Sequence, residues 1–146
     1  MSYIGFQYYD GPRAIIGLPE AASQTFVSGD LVAMSSGSVA VASSYATIWG
    51  VALSKASGTT GNTVYIDAIQ PGSRWVAQCG SATTETQKGN GYDLSYTSGS
   101  MCVDQGNNTY KNFIIEELDP REGADASAGG LVIGRFNAKY TMFCTV

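Results

Sequence analysis

Histidine is missing from all 146 residues, and this absence removes more chemistry than any motif in the chain adds. Without an imidazole there is no Ser-His-Asp or Cys-His nucleophilic site, no histidine-liganded zinc and no imidazole acid–base group. Charge is scarce too: Asp, Glu, Lys and Arg make up 14% of the chain, against about 25% in soluble globular proteins. The 8 basic residues are scattered, so no stripe exists to displace counterions from nucleic-acid phosphates. A formal charge of −4 likewise disfavours anionic membrane surfaces. No run approaches the ~18 uninterrupted apolar residues of a spanning helix. The opening MSYIGFQYYDGPR has neither the basic start nor the apolar stretch of a signal peptide, so synthesis in a cytosol is expected. The cysteines, Cys79, Cys102 and Cys144, are odd in number and widely spaced. They fit neither paired zinc spacing nor a disulfide framework, and read as buried, reduced thiols.

What the chain does contain is short apolar runs separated by Gly, Ser, Asn and Thr clusters, the pattern of a single all-β domain. Asp30–Ala42 (DLVAMSSGSVAVA) reads as a hairpin turned at Ser35-Ser36-Gly37. Ile48–Leu53 (IWGVAL) is apolar enough to be buried on both faces, and Thr63–Ile69 (TVYIDAI) sets Val64 and Ile66 against Tyr65 and Asp67. Pro71-Gly72 turns into Arg74–Cys79, and Tyr92–Asp104 forms a second hairpin at Thr97-Ser98-Gly99. Phe113–Leu118, Leu131–Phe136 and Tyr140–Val146 complete the expected strands, with short helical turns possible only at 17–22 and 120–128.

Motifs that carry chemistry are few. Glu116, Glu117, Asp119, Glu122 and Asp125 form an acidic run, but consecutive residues on a strand point to opposite faces, which separates Glu116 from Glu117 as an acid–base pair. Asp119, Glu122 and Asp125 offer oxygen ligands for a cation without the helix-loop-helix calcium spacing, and read as a decorated loop. Gly58–Gly61 and Gly89–Gly91 lack the Lys-Ser/Thr ending of a phosphate loop. Asn107-Asn108-Thr109 matches a glycosylation sequon, but with no secretory signal it reads as a loop. The expectation is no enzyme, no cofactor and no metal.

Two other features point to association. Residues 1–25 crowd Tyr3, Ile4, Phe6, Tyr8 and Tyr9 among Gly and Pro, which reads as an extended N-terminal arm docked on its own domain or on a neighbour. Those five aromatic and aliphatic residues are the candidate contact residues, and residues 26–146 the β-barrel domain. Between Glu20 and Arg74 the charged residues are Asp30, Lys55 and Asp67 alone. A stretch of small uncharged residues packs against a partner with little desolvation cost, whereas monomers stud exposed strands with Lys and Glu.

Several segments together resemble a known family. Val27-Ser28-Gly29-Asp30-Leu31-Val32, the hairpin into Val39-Ala40-Val41, and Ile48–Leu53 are similar to the opening of the small capsid decoration (cement) proteins of tailed bacteriophages. Lys88–Leu94 (KGNGYDL), Phe113–Leu118 with Asp119-Pro120, and Leu131–Phe136 resemble the later parts of the same pattern, over roughly residues 26–136. The resemblance implies a β-barrel or β-tulip domain on the outer capsid surface of a virion, without enzymatic activity. Its implied partners are the major capsid protein and copies of itself, as a homotrimer. The competing expectation is a carbohydrate- or receptor-binding β domain of a fibre or adhesin, with Trp49, Trp75 and the tyrosines stacking on sugar rings.

Overall fold

The computed structural model describes residues 3–44, 48–119 and 130–141. Among them the chain is all-β: β1 (Phe6–Asp10), β2 (Ala14–Pro19), β3 (Leu31–Ser35), β4 (Ser38–Val41), β5 (Gly50–Ala52), β6 (Thr63–Ala68), β7 (Arg74–Gln78), β8 (Gly91–Ser95), β9 (Cys102–Asp104), β10 (Phe113–Leu118) and β11 (Leu131–Phe136). They form two antiparallel sheets, one ordered β1-β7-β11-β10-β8-β9 and the other β2-β6-β5-β3-β4. The two hairpins with similar turn sequences fall in different sheets, β3–β4 in the second and β8–β9 in the first.

Turn chemistry sets the connections. Ser36 and Gly37 both take positive φ, 50° and 85°, the two-residue geometry whose twist matches that of the flanking strands. Pro71 and Gly72 (φ 84°) turn β6 into β7, with the Ser73 N–H donating to the Gln70 carbonyl at 3.0 Å.

The apolar residues divide between the sheets. One cluster packs Phe6, Trp75, Phe113, Ile115, Val132 and Phe136 of the first sheet against Leu31, Val51 and Ile69 of the second. Its rings meet edge to face, Phe113–Phe136 at 5.2 Å and Trp75–Phe136 at 5.8 Å, a favoured aromatic geometry. A second cluster, Phe26, Val32, Val39, Ala52, Val64 and Ile66, lies on the other face of the second sheet, which curls around it. An isolated bridge between Glu20 and Val39 brings the end of β2 to β4, without a continuous ladder closing a barrel.

The N-terminal stretch is docked on its own domain. β1 pairs with β7 and β2 with β6, so residues 6–19 supply one edge strand to each sheet rather than an appended arm. Both strands alternate: Phe6 and Tyr8 face inward while Gln7 and Tyr9 face out, and Ile15, Gly17 and Pro19 alternate with Ala14, Ile16 and Leu18. The helical turn considered at 17–22 is therefore largely strand. At the C-terminal end, Ala138–Tyr140 is a single 3-10 turn and Thr141 bridges Ile48, while the rest of the expected final strand, with Cys144, lies outside the described residues. So does 120–128. Cys79 is buried, Cys102 half-buried, and neither is in a disulfide.

Buried carboxylates fix the loops. Asp30, fully buried, accepts hydrogen bonds from the Tyr3 hydroxyl (2.6 Å), the Val27 N–H (3.0 Å), the Ser98 hydroxyl (2.5 Å) and the Gly99 N–H (3.0 Å). One side chain thus joins the chain start, the entry to β3 and the β8–β9 turn. Burial and the Asp30 carboxylate push the Tyr3 phenol pKa up, keeping it a donor. Glu20, also buried, accepts from the Ser57 N–H and hydroxyl and the Gly58 N–H at 2.7–2.9 Å, pinning the loop between β5 and β6.

Candidate interaction surface

The five contact candidates do not form one patch. Phe6 is a core residue, 1% exposed. Tyr3 is held by Asp30, and Ile4 packs on Val76, Leu131 and Ile133 on the outer face of the first sheet. Tyr8 stands edge-on to Trp75 at 6.0 Å, donates to the Gly11 carbonyl and lies under the Arg13 guanidinium. Only Tyr9 is exposed, with the Arg74 guanidinium 5.2 Å from its ring centre. Deleting residues 2–12 would therefore remove a strand and a core phenylalanine, and would test folding before docking.

The charge-poor stretch gains a sharper meaning. Glu20, Asp30 and Asp67 are all buried, so between Glu20 and Arg74 the exposed charge is Lys55. Asp67 was expected on the same side of its strand as Tyr65, which is exposed. Instead, its carboxylate is 2% exposed beneath Arg13, whose Nη2 lies 2.9 Å and Nε 3.1 Å away. The second sheet therefore presents a surface with Arg13 and Lys55 at its margins, while Asp10, Arg74, Glu116, Glu117 and Arg135 gather on the first.

Exposed apolar side chains collect on that charge-poor surface. Register places Gly17 opposite Tyr65 and Ile15 opposite Asp67, and the Leu53 N–H donates to the Tyr65 carbonyl. Ile15 (54% exposed), Leu53 (38%) and Tyr65 (55%) thus lie on three neighbouring strands or their extensions. Gly17 makes room for the Tyr65 ring: a Cβ at that position would come within 3.0 Å of Cε1. Leu53 also lines a recess of about 280 Å³ between β1 and β5–β6, shared with Phe6, Tyr8, Arg13, Asp67 and Trp75. The contact candidates Ile4, Phe6 and Tyr8 do reach this recess, but from its wall. Sequence carried part of the signal, in the alternation that opposed Tyr65 to Val64 and Ile66; the turn reading of 17–22 concealed the matching alternation in β2.

The acidic run is organised differently from the expectation. A register shift between Ile115 and Glu117 interrupts strand alternation, and Arg74 Nη1 reaches both Glu116 (3.8 Å) and Glu117 (3.3 Å). Arg135 Nε holds the second Glu116 oxygen at 2.7 Å. Arg74 also pairs with Asp10, whose carboxyl it holds below the usual range. This is a cross-strand ion network tying β1, β7, β10 and β11. Asp119 is buried, and Glu122 and Asp125 lie outside the described residues. Among the described residues no group of three or more Asp, Glu or Cys is placed to hold a metal ion. Trp75 is no stacking platform, being fully buried and donating to the Ser73 hydroxyl at 2.9 Å, while Trp49 is half-buried against the second cluster.

No protein-family model matches the chain, and no curated protein matches it. Among solved structures, the fold is similar to that of the N base of head fiber gp8.5 from bacteriophage phi29, with a TM-score of 0.50 and 17% sequence identity. The superposition covers 85% of this chain and 95% of that one. A likeness at this identity establishes a shared fold.

Proposed function

We propose that this chain is a structural protein of a bacteriophage virion that docks on the outer face of the capsid shell and stabilises it. The observation that carries the docking is the one-sided surface: a sheet whose exposed charges are Arg13, tied to Asp67, and Lys55, and that displays Ile15, Leu53 and Tyr65. Such a face loses little on desolvation and gains from each apolar side chain it buries. The choice of partner is supported by the fold shared with a phage head fiber base and by the decoration-protein motifs, Ser28-Gly29-Asp30 above all. Binding at many equivalent shell positions favours the assembled state by mass action, which needs a broad complementary face and no catalytic pocket.

The test is co-sedimentation with purified heads of the encoding phage, with the mass of the free protein measured alongside. Wild-type protein should pellet with heads and raise the temperature at which they release DNA. The double variant Ile15→Lys, Tyr65→Lys alters exposed positions, so it should fold normally. At ~1.5–3 kcal/mol for each buried apolar side chain, it should bind at least tenfold more weakly. Undiminished binding by this variant would rule out the face, and failure of the wild type to pellet would rule out the function.

A further inference from the structure

At the far end of the first sheet, away from the charge-poor face, Asn112 precedes β10 with 1% of its surface exposed. Neither its amide nitrogen nor its amide oxygen has a hydrogen-bond partner, although its backbone carbonyl accepts from the Asn137 N–H at 2.7 Å. A primary amide carries two donors and one acceptor oxygen, and burying all of them unpaired works against folding unless something else supplies partners. Asn112 lines a recess of about 240 Å³ together with Tyr96, whose hydroxyl is likewise buried and unpartnered. Burial and the nearby Asp93 charge push the Tyr96 phenol pKa up, so this group remains a neutral donor.

The remaining walls are preorganised. Asp93 and Asp104 are direct cross-strand partners on β8 and β9, a like-charge pair that costs stability unless each carboxylate is held. Asp93 Oδ1 accepts the Tyr110 and Lys111 N–H groups at 2.7 and 2.9 Å. Asp104 accepts the Gly106 N–H at 3.1 Å and the Asn107 amide at 2.7 Å. These bonds fix both carboxylates, which line the same recess as the unsatisfied amide. At the mouth the partly exposed Tyr110 ring is braced edge-on by Tyr140, with centroids 6.2 Å apart.

We infer that this recess binds a single neutral sugar ring. The two carboxylates exclude an anion, and a bare cation offers no acceptor to the Asn112 amide or to the Tyr96 hydroxyl. A hydroxyl both donates and accepts, so adjacent hydroxyls on one ring can pair with the Asn112 amide, the Tyr96 hydroxyl and Asp93 together. The C–H face of such a ring suits the flat side of Tyr110. The volume lies below the ~300–1,000 Å³ of drug-sized sites, which limits the occupant to one ring. This site is separate from the proposed capsid-docking face and is testable on the free protein.

The experiment is an amide-resolved NMR titration of the intact chain with neutral monosaccharides (glucose, galactose, rhamnose and N-acetylglucosamine) at millimolar concentrations, with calcium chloride in parallel. At least one sugar should shift the Asn112 side-chain amide pair and the backbone signals of 93–96 and 104–110 in a saturable way. Tyr110→Ala, at a partly exposed position, should weaken that response at least tenfold. Asn112→Leu should abolish it while raising the melting temperature, because it removes an unpaired buried amide. The inference is overturned if no sugar gives a saturable shift, or if calcium alone does. It is also overturned if Asn112→Leu lowers the melting temperature, or if a crystal soaked in sugar shows ordered water only at the amide.

Discussion

Replacing Asp30 with alanine is the sharpest test of how this fold is held together. The carboxylate is fully buried and takes four donors from three separate segments. The Tyr3 and Ser98 hydroxyls can rotate toward other acceptors, but the Val27 and Gly99 N–H groups are fixed by the backbone. Leaving a buried donor unpaired costs about 1–3 kcal/mol, so the two together come to roughly 4 kcal/mol. For a domain of this size ~2–4 °C is lost per kcal/mol, which gives a melting temperature about 12 °C lower. Asp30→Asn keeps the shape and one acceptor oxygen but turns an N–H₂ toward other donors, and should cost about half as much. Urea unfolding followed by tryptophan fluorescence measures both, since the buried Trp75 reports loss of the core. A cost below about 1 kcal/mol for Asp30→Ala would refute the reasoning, because the four bonds would then be replaceable by water.

Two further outcomes follow from the same structure. Burial opposes ionisation of Glu20, but the Ser57 N–H and hydroxyl and the Gly58 N–H outweigh it, so its carboxyl titrates below its ordinary value of 4.5. A folded-state pKa below the unfolded one contributes stability above the unfolded value that is lost as pH falls through the folded one. Urea midpoints should therefore drop as pH falls below about 4.5, and Glu20→Gln should flatten part of that slope while lowering stability at pH 7. At Gly134 an added Cβ would lie 2.0 Å from the Ile114 carbonyl oxygen, a backbone atom that cannot step aside. Gly134→Ala should cost at least about 3 kcal/mol by chemical denaturation or prevent folding, whereas Gly17→Ala, which meets only the Tyr65 and Thr63 side chains, should be tolerated.

Sequence by itself determined the fold class, the order of most strands and where the chain turns. These are local properties: period-two alternation marks a strand, and Ser36-Gly37 or Pro71-Gly72 marks a bend whatever lies nearby. Absent histidine and thin charge also stood on composition alone. Tertiary structure decided what those residues do. The tyrosine-rich start became two edge strands because β7 and β6 offered them ladders, a matter of pairing between residues 44 to 71 positions apart. A register shift brought Glu116 and Glu117 to one arginine, against the rule that neighbours on a strand point apart. The sparse charge of the first half proved sparser still, since Arg13 covers Asp67, and the backbone and hydroxyl donors around Asp30 and Glu20 draw both inside. Asn112 gave no sign in the sequence, because an asparagine before a strand is ordinary. Burial without a partner is a property of its surroundings, and only the packed sheet creates it.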